Sequence, residues 1–219
     1  AEHRQQRIAA CETAGMIRAA NLFDQTQACF KCHIVANDEL IAAGHKMSSA
    51  AFEFVSWSEG EVRHNFLLDR TKNAKVPSLW LETHGAEAEG RQRLKFVLGA
   101  MAQLEATLRA RAIAKNPAVV PQIGGSVAAI NGKLTQINAM ANTPETTAIT
   151  MLIVPLFATL FAPSEKDPET YNDAADKVAE QARKFAVNHD GSQLPGLDAM
   201  IQAPPSHFSQ QFRQKYLRE

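Results

Sequence analysis

The sequence carries no net charge, since its 23 lysine and arginine residues are balanced by 23 aspartate and glutamate residues. A balanced chain has no overall field to steer it towards nucleic acid or an anionic membrane, so we expect no nucleic-acid partner. It also lacks an apolar run of the ~20 residues that a membrane-spanning helix needs. The strongest uncharged stretch, residues 147–163, is shorter and contains Pro155 near its middle. We therefore predict a buried or interface helix there and no membrane span.

Strand signals, internal repeats and phosphate-binding loops are also scarce or missing. Apolar and polar residues alternate only at 51–55, which is too little to found a sheet. The single glycine pair, Gly124-Gly125, lies outside any strand-to-helix pattern and so does not predict a phosphate loop. The chain has instead apolar residues at helical spacing, most regularly from Leu94 to Leu108. Its 219 residues suffice for one sizeable core, or for one core and a small lobe.

Cap signals and apolar stripes predict helices over most of the chain. We expect them at 4–20, at 38–41 behind an Asn37 cap, from a Ser58-x-x-Glu61 capping box, at 91–108, at 127–137 after the glycine pair, from a Thr143-Pro144 start, and from Asp167-Pro168 to about residue 189. Short breaks between the last four predict antiparallel neighbours. The predicted fold is all-α, with a helical lobe at residues 1–85 joined to an antiparallel helical bundle at residues 86–219, packed together as one compact unit.

Cysteine is scarce, with three residues, and two of them belong to one motif. Cys29-Phe30-Lys31-Cys32-His33 has the C-x-x-C-H spacing at which two thiols bond to haem vinyl groups while the adjacent histidine ligates the iron. The two-residue gap sets the sulfurs at the separation of two neighbouring porphyrin substituents. The motif predicts one covalently attached haem c in the 1–85 lobe, with His33 as the proximal ligand.

Two other interpretations of the cysteines stay open. Paired thiolates at this spacing are also half of a common zinc site, or a dithiol redox pair. A zinc site needs a second ligand pair, and the chain has neither a second C-x-x-C nor two histidines at zinc-site spacing. The third thiol, Cys11, is interpreted as a small buried side chain on a helix. A thiolate axial ligand and an intermolecular disulfide are the alternatives for it.

The motif, taken with Gly44-His45 and Arg63-His64-Asn65-Phe66 after it, resembles c-type cytochromes. It is similar in particular to the bis-histidine haem sites of multihaem cytochromes c, here reduced to one haem. The resemblance covers only the region before about residue 90. It implies haem attachment outside the cytoplasm, and hence a periplasmic or otherwise exported protein. The chain opens Ala1-Glu2-His3-Arg4 without an apolar run, as we expect of a mature protein whose leader has been removed.

The sixth coordination position of the iron decides what such a haem does. Two strong ligands favour electron transfer, whereas a weakly held position admits small molecules. We rank His64, on a predicted capped helix, ahead of His45, which is expected in a turn or loop. Met47 would raise the reduction potential as a thioether ligand, and His84 is a more distant alternative.

The leading functional hypothesis is an exported monohaem c-type cytochrome that relays single electrons and is not itself an enzyme. Its expected partner is a redox protein, with another cytochrome as one candidate. The length of the chain beyond the haem region favours a homo- or hetero-oligomer or a larger redox complex, with residues 147–163 as the interface. The alternative is a haem-based small-molecule sensor or haem enzyme with an exchangeable distal ligand. A zinc or dithiol module forms a third class.

Overall fold

The computed structural model describes residues 2–17, 21–48, 53–56, 58, 88–164 and 166–201. Within these residues the protein is helical and contains no strand, which confirms the predicted all-α fold. The helices in chain order are α1 (Glu2–Thr13), α2 (Leu22–His33), α3 (Asp38–Ala42), the one-turn α4 (Phe54–Ser56), α5 (Ala88–Ile113), α6 (Val120–Ala141), α7 (Pro144–Ile153) and α8 (Asp167–Asn188). Two 3₁₀ helices, Val154–Ala158 and Pro195–Met200, follow α7 and α8. No helix in the described ranges has the length and apolar character needed to cross a membrane.

Helix α5 lies at the centre of the molecule. The stripe from Leu94 to Leu108 that predicted it is buried, and so are residues on its other sides, including Phe96, Ala100 and Ala102. A helix buried all round packs against neighbours in several directions, and α5 contacts α2, α6 and α8. The core of the described protein is therefore organised around one helix.

Helices α5 to α8 form an antiparallel four-helix bundle. Arg111 near the end of α5 pairs with Asp167 at the start of α8, with 2.8 Å between Nη1 and Oδ2. Gly90 near the start of α5 lies against Asp190, just after α8, so the two helices run in opposite directions. Helix α7 closes the ring by packing on both α6 and α8. Short connections force neighbouring helices to reverse direction, as the sequence predicted.

Helix α2 packs against the bundle and runs parallel to α5. Gln27 Nε2 donates to Glu105 Oε2 at 2.6 Å. Asp38 Oδ2, after α2, accepts from the backbone N–H of Lys115, after α5, at 2.7 Å, so residue numbers increase in the same direction along both helices. Buried residues of α2, such as Phe30, belong to the same hydrophobic cluster as those of the bundle. The predicted boundary between residues 85 and 86 lies outside the described residues.

Helix α1 is shorter than the predicted 4–20. It ends at Thr13, because Gly15 adopts φ +89° and the N–H of Met16 returns to the Cys11 carbonyl at 2.9 Å. A glycine in this left-handed conformation is a common helix stop. None of the α1 residues is buried, and Cys11 is only half-buried, so the expected buried thiol is not found.

Helix α6 begins earlier than predicted. The glycine pair was expected to precede the helix, yet α6 starts at Val120 and runs through both glycines. Gly124 is required by packing, since a Cβ there would lie 2.6 Å from the carbonyl oxygen of Leu160. A Cβ at Gly125 would meet nothing within 4 Å. Close approach of the α6 backbone to the Leu160 backbone therefore explains Gly124 but not Gly125.

This difference predicts opposite effects for two neighbouring substitutions. Gly124→Ala should destabilise the protein by about 1–3 kcal/mol, because the new methyl group clashes with the Leu160 backbone. Gly125→Ala should raise the free energy of unfolding by about 0.5–1 kcal/mol, because alanine favours the helix and meets open space. Urea unfolding followed by circular dichroism measures both. Equal effects of the two changes would contradict the packing role of Gly124.

Candidate haem-attachment site

The C-x-x-C-H motif forms the last two turns of α2. Residues three and four positions apart lie on one side of a helix, so Cys29, Cys32 and His33 are neighbours on the helix surface. Cys29 is half-buried and packs against the hydrophobic core, whereas Cys32 and His33 are exposed. Both thiols are free. The motif thus meets solvent at the helix end and the core along one side.

The end of α2 that carries the motif is fixed in two ways. One side of the helix packs against the bundle, and the backbone changes direction directly after His33. Phe23, Thr26 and Phe30 are buried against the bundle. Directly after His33 the backbone leaves the helix at Ile34, whose extended conformation (φ −113°, ψ 110°) still lets its N–H donate to the Phe30 carbonyl. Lys31 and His33 occupy the last turn, where positive charge is favoured by the helix dipole.

The two cysteines differ in their electrostatic surroundings. Burial raises the pKa of the Cys29 thiol above its ordinary value, and the nearby Cys32 adds to the increase. A raised pKa lowers the fraction of Cys29 that is present as thiolate at a given pH. The exposed Cys32 sulfur is the more accessible of the two.

The loop that carries His45 is held near the same end of α2. Asn37 caps α3 by accepting from the Leu40 N–H at 3.0 Å, as predicted, and Gly44 ends the helix with φ +95°. His45 then lies in an exposed loop, consistent with the predicted turn or loop, and its Nδ1 is 2.8 Å from the Lys46 carbonyl oxygen. Its imidazole therefore stands at the surface.

One backbone hydrogen bond closes this loop onto the motif. The Val35 N–H donates to the Met47 carbonyl at 2.7 Å. Val35 is two residues after His33 and Met47 is two residues after His45, so this bond joins the two segments that follow the histidines. The Met47 side chain is only 8% exposed and belongs to the hydrophobic core. The structure thus gives Met47 a packing role.

The favoured distal ligand lies outside the described residues. His64 and His84 both fall there, as does Glu61 of the predicted capping box. Of the proposed haem ligands and attachment points, the structure places Cys29, Cys32 and His33 on one helix end and His45 on the adjoining loop. Among the described residues, no three histidine, cysteine, aspartate or glutamate side chains form a group that could hold a metal ion.

Two polar anchors of the site were missed by the sequence analysis. Gln27, one half-turn before Cys29, is tied to Glu105, whose other oxygen accepts from Arg109 Nε at 3.0 Å. Asp38 holds the His45 loop to the end of α5. The spacing of Glu105 and Arg109 by four residues was a visible helix signal, but nothing local pointed to Gln27 or Asp38.

No protein-family model, no curated protein and no solved structure matches this chain. The site itself consists of two thiols and a histidine at one helix end, with a second histidine on a loop tied to that end.

The different surroundings of the two thiols predict different alkylation rates in haem-free protein. Cys32 should react with iodoacetamide several-fold faster than Cys29 at neutral pH, because the thiolate is the nucleophile and burial raises the Cys29 pKa. Trypsin cleaves after Lys31, so mass spectrometry reads the two thiols on separate peptides. In denaturant the rates should converge. Equal rates in the folded protein would contradict the burial of Cys29.

Proposed function

We propose that this protein is an exported monohaem c-type cytochrome that relays single electrons. The observation that carries the proposal is the single C-x-x-C-H motif on a helix end, with Cys32 and His33 exposed and Cys29 against the core. Because Cys32 and His33 are exposed, a haem held by these residues would be within reach of a redox partner. The resemblance to c-type cytochromes supports a periplasmic or otherwise exported setting.

The residues of the motif fit covalent attachment. The Cys29 and Cys32 thiols would hold haem through two thioether bonds, each formed by addition of S–H across one vinyl double bond, with the hydrogen going to the other vinyl carbon. The addition needs no external oxidant. His33 offers an imidazole nitrogen to the iron from the residue next to Cys32. When bound, haem supplies a one-electron couple between ferric and ferrous iron.

The bundle supports this function by holding α2 rigidly. Sites on packed helices keep their geometry better than sites on free loops. Gln27 fixes α2 to α5, and Phe30 in the middle of the motif is 2% exposed, so the motif cannot rotate away from the core without exposing an aromatic ring.

The proposed axial pair is His33 with His64, and His45 is the alternative distal ligand. The loop closure between Val35 and Met47 supports His45 as the alternative, because it keeps that histidine at the motif end of α2. A bis-histidine iron favours electron relay over ligand binding. A haem sensor or haem enzyme would require the distal histidine to leave.

Attachment of haem is tested by cysteine substitution in protein exported with a haem-maturation system. The wild type and Cys11→Ser should keep their haem through denaturing electrophoresis and give a mass above that of the bare polypeptide. The double variant Cys29→Ser/Cys32→Ser should lose covalent haem, because no thioether can form. Cys11→Ser is the matched control, a thiol outside the motif. A wild type whose mass equals the polypeptide alone would end this proposal in favour of a zinc or dithiol module.

Identity of the distal ligand is tested by absorption spectra of the reduced protein with and without carbon monoxide. The wild type and His45→Ala should stay low-spin and unchanged by the gas. His64→Ala should become high-spin and bind carbon monoxide, because the sixth position opens. The opposite pattern for the two variants would make His45 the ligand. A wild type that binds carbon monoxide would favour the sensor or enzyme.

A further inference from the structure

The half of the bundle built from α6, α7 and the 3₁₀ helix after them has an uncharged surface. Residues 116–164 include only two charged side chains, Lys133 and Glu145. The Lys133 ammonium lies 4.3 Å from the centroid of the Phe96 ring, and Glu145 is 4% exposed. Both charges are therefore turned towards the protein, which is unusual for two surface helices of a bundle.

Large apolar side chains stand on this surface. Met151 is 69% exposed, Val154 65% and Phe157 39%. They follow each other at intervals of three residues, through the end of α7 and into the 3₁₀ helix, so they form one ridge. Phe161, in the next turn, is 50% exposed. Single exposed apolar residues are ordinary, but a contiguous patch marks an interaction surface.

The ridge adjoins an outer face of α6 made of small residues. Phe161 Cδ1 is 3.0 Å from the position of a Cβ at Gly124, which brings the end of the ridge against α6. Beyond it Gly125, Ala129 and Gly132 are exposed, and a Cβ at either of these glycines would meet nothing within 4 Å. We call the ridge and this outer face of α6 together the uncharged face.

We propose that the uncharged face is a homodimer interface. In a two-fold dimer the ridge of one protomer packs over the small residues of α6 in its partner, and the reverse contact forms at the same time. A standard interface needs about 800 Å² from each partner. Four partly exposed side chains supply less than this, so the adjoining face of α6 must take part.

A second copy of the chain fits this face better than other occupants. A redox partner that docks through charged patches would lose water from its charges without gaining opposite charges. Helices that lie on lipid surfaces carry lysine and arginine along their polar side, whereas residues 116–164 contain one lysine, Lys133, and no arginine. A second copy brings the same uncharged surface, so no charge is desolvated. Permanent homodimer interfaces are also the more apolar class.

The dimer leaves the haem-attachment site accessible. Helix α2 packs on α5 and α8, whereas the uncharged face belongs to α6 and α7. The two surfaces therefore lie on different sides of the bundle. Dimerisation is independent of haem chemistry, so the homodimer would stand even if the proposed electron-transfer function did not.

The test is sedimentation velocity of the full chain over roughly 1–100 μM, because association depends on concentration. The wild type should sediment as two chains. Val154→Lys should raise the dimer dissociation constant at least tenfold, because each protomer then buries an unpaired charge. Val187→Lys is the matched control: the same change at an 84% exposed valine on α8 should leave the dimer intact. Circular dichroism should show equal helix content in all three.

Three results would overturn the proposal. The first is a wild type that stays monomeric across the whole concentration range. The second is a Val154→Lys variant that dimerises as strongly as Val187→Lys. The third is a monomeric wild type that co-sediments with vesicles of neutral phosphatidylcholine, which would assign the uncharged face to lipid.

Discussion

Burial of most of the surface of α5 is the constraint on which the described structure depends. The helix spans Ala88–Ile113, and its apolar residues from Leu94 to Leu108 are almost entirely inaccessible to solvent. Each such side chain contributes about 1.5–3 kcal/mol when it leaves water. Because Gln103 and Ala106 are the only residues of this stretch that are even partly exposed, α2, α6 and α8 must all be in place to cover the helix. The antiparallel bundle and α2 thus share one core.

The same burial makes polar residues of α5 dependent on their neighbours. Arg111 is fully buried and would be costly without partners. It pairs with Asp167, stacks its guanidinium 4.7 Å from the centroid of the Tyr171 ring, and donates to the carbonyl oxygens of Thr159, Leu160 and Ala162. These bonds fasten the turn between the 3₁₀ helix and α8 to the end of α5. The backbone carbonyl groups of this turn need hydrogen-bond donors, and the Arg111 guanidinium supplies them.

This arrangement separates two surfaces with different chemistry. The end of α2 presents the thiols and histidine of the motif beside the loop of His45, and Gln27 and Asp38 fix both to α5. The opposite part of the bundle presents the uncharged face of α6 and α7. The two surfaces lie on different sides of the bundle and differ in their side-chain chemistry.

Much of the fold could be predicted because its signals are local. Apolar spacing located α5, and short-range side-chain chemistry located the Asn37 cap and the Thr143 cap, whose hydroxyl accepts from the Thr146 N–H at 3.3 Å. Backbone hydrogen bonds in a helix join residues four apart, so nearby sequence contains the information. The predicted start of α6 was wrong because the apolar stripe that located the helix begins only after the glycine pair. Gly124 is unfavourable within a helix, but a Cβ there would clash with the backbone of Leu160, far along the chain.

The sequence by itself determined the helical class. It also determined the spacing of Cys29, Cys32 and His33, since all three lie within five consecutive residues. Only the tertiary structure decided that α2 runs parallel to α5, that Gln27 meets Glu105 across 78 residues, and that Met47 belongs to the core. These contacts depend on which surfaces fit when all helices cover α5 together. No periodic pattern in one segment records the shape of another, so such contacts appear only in the folded protein.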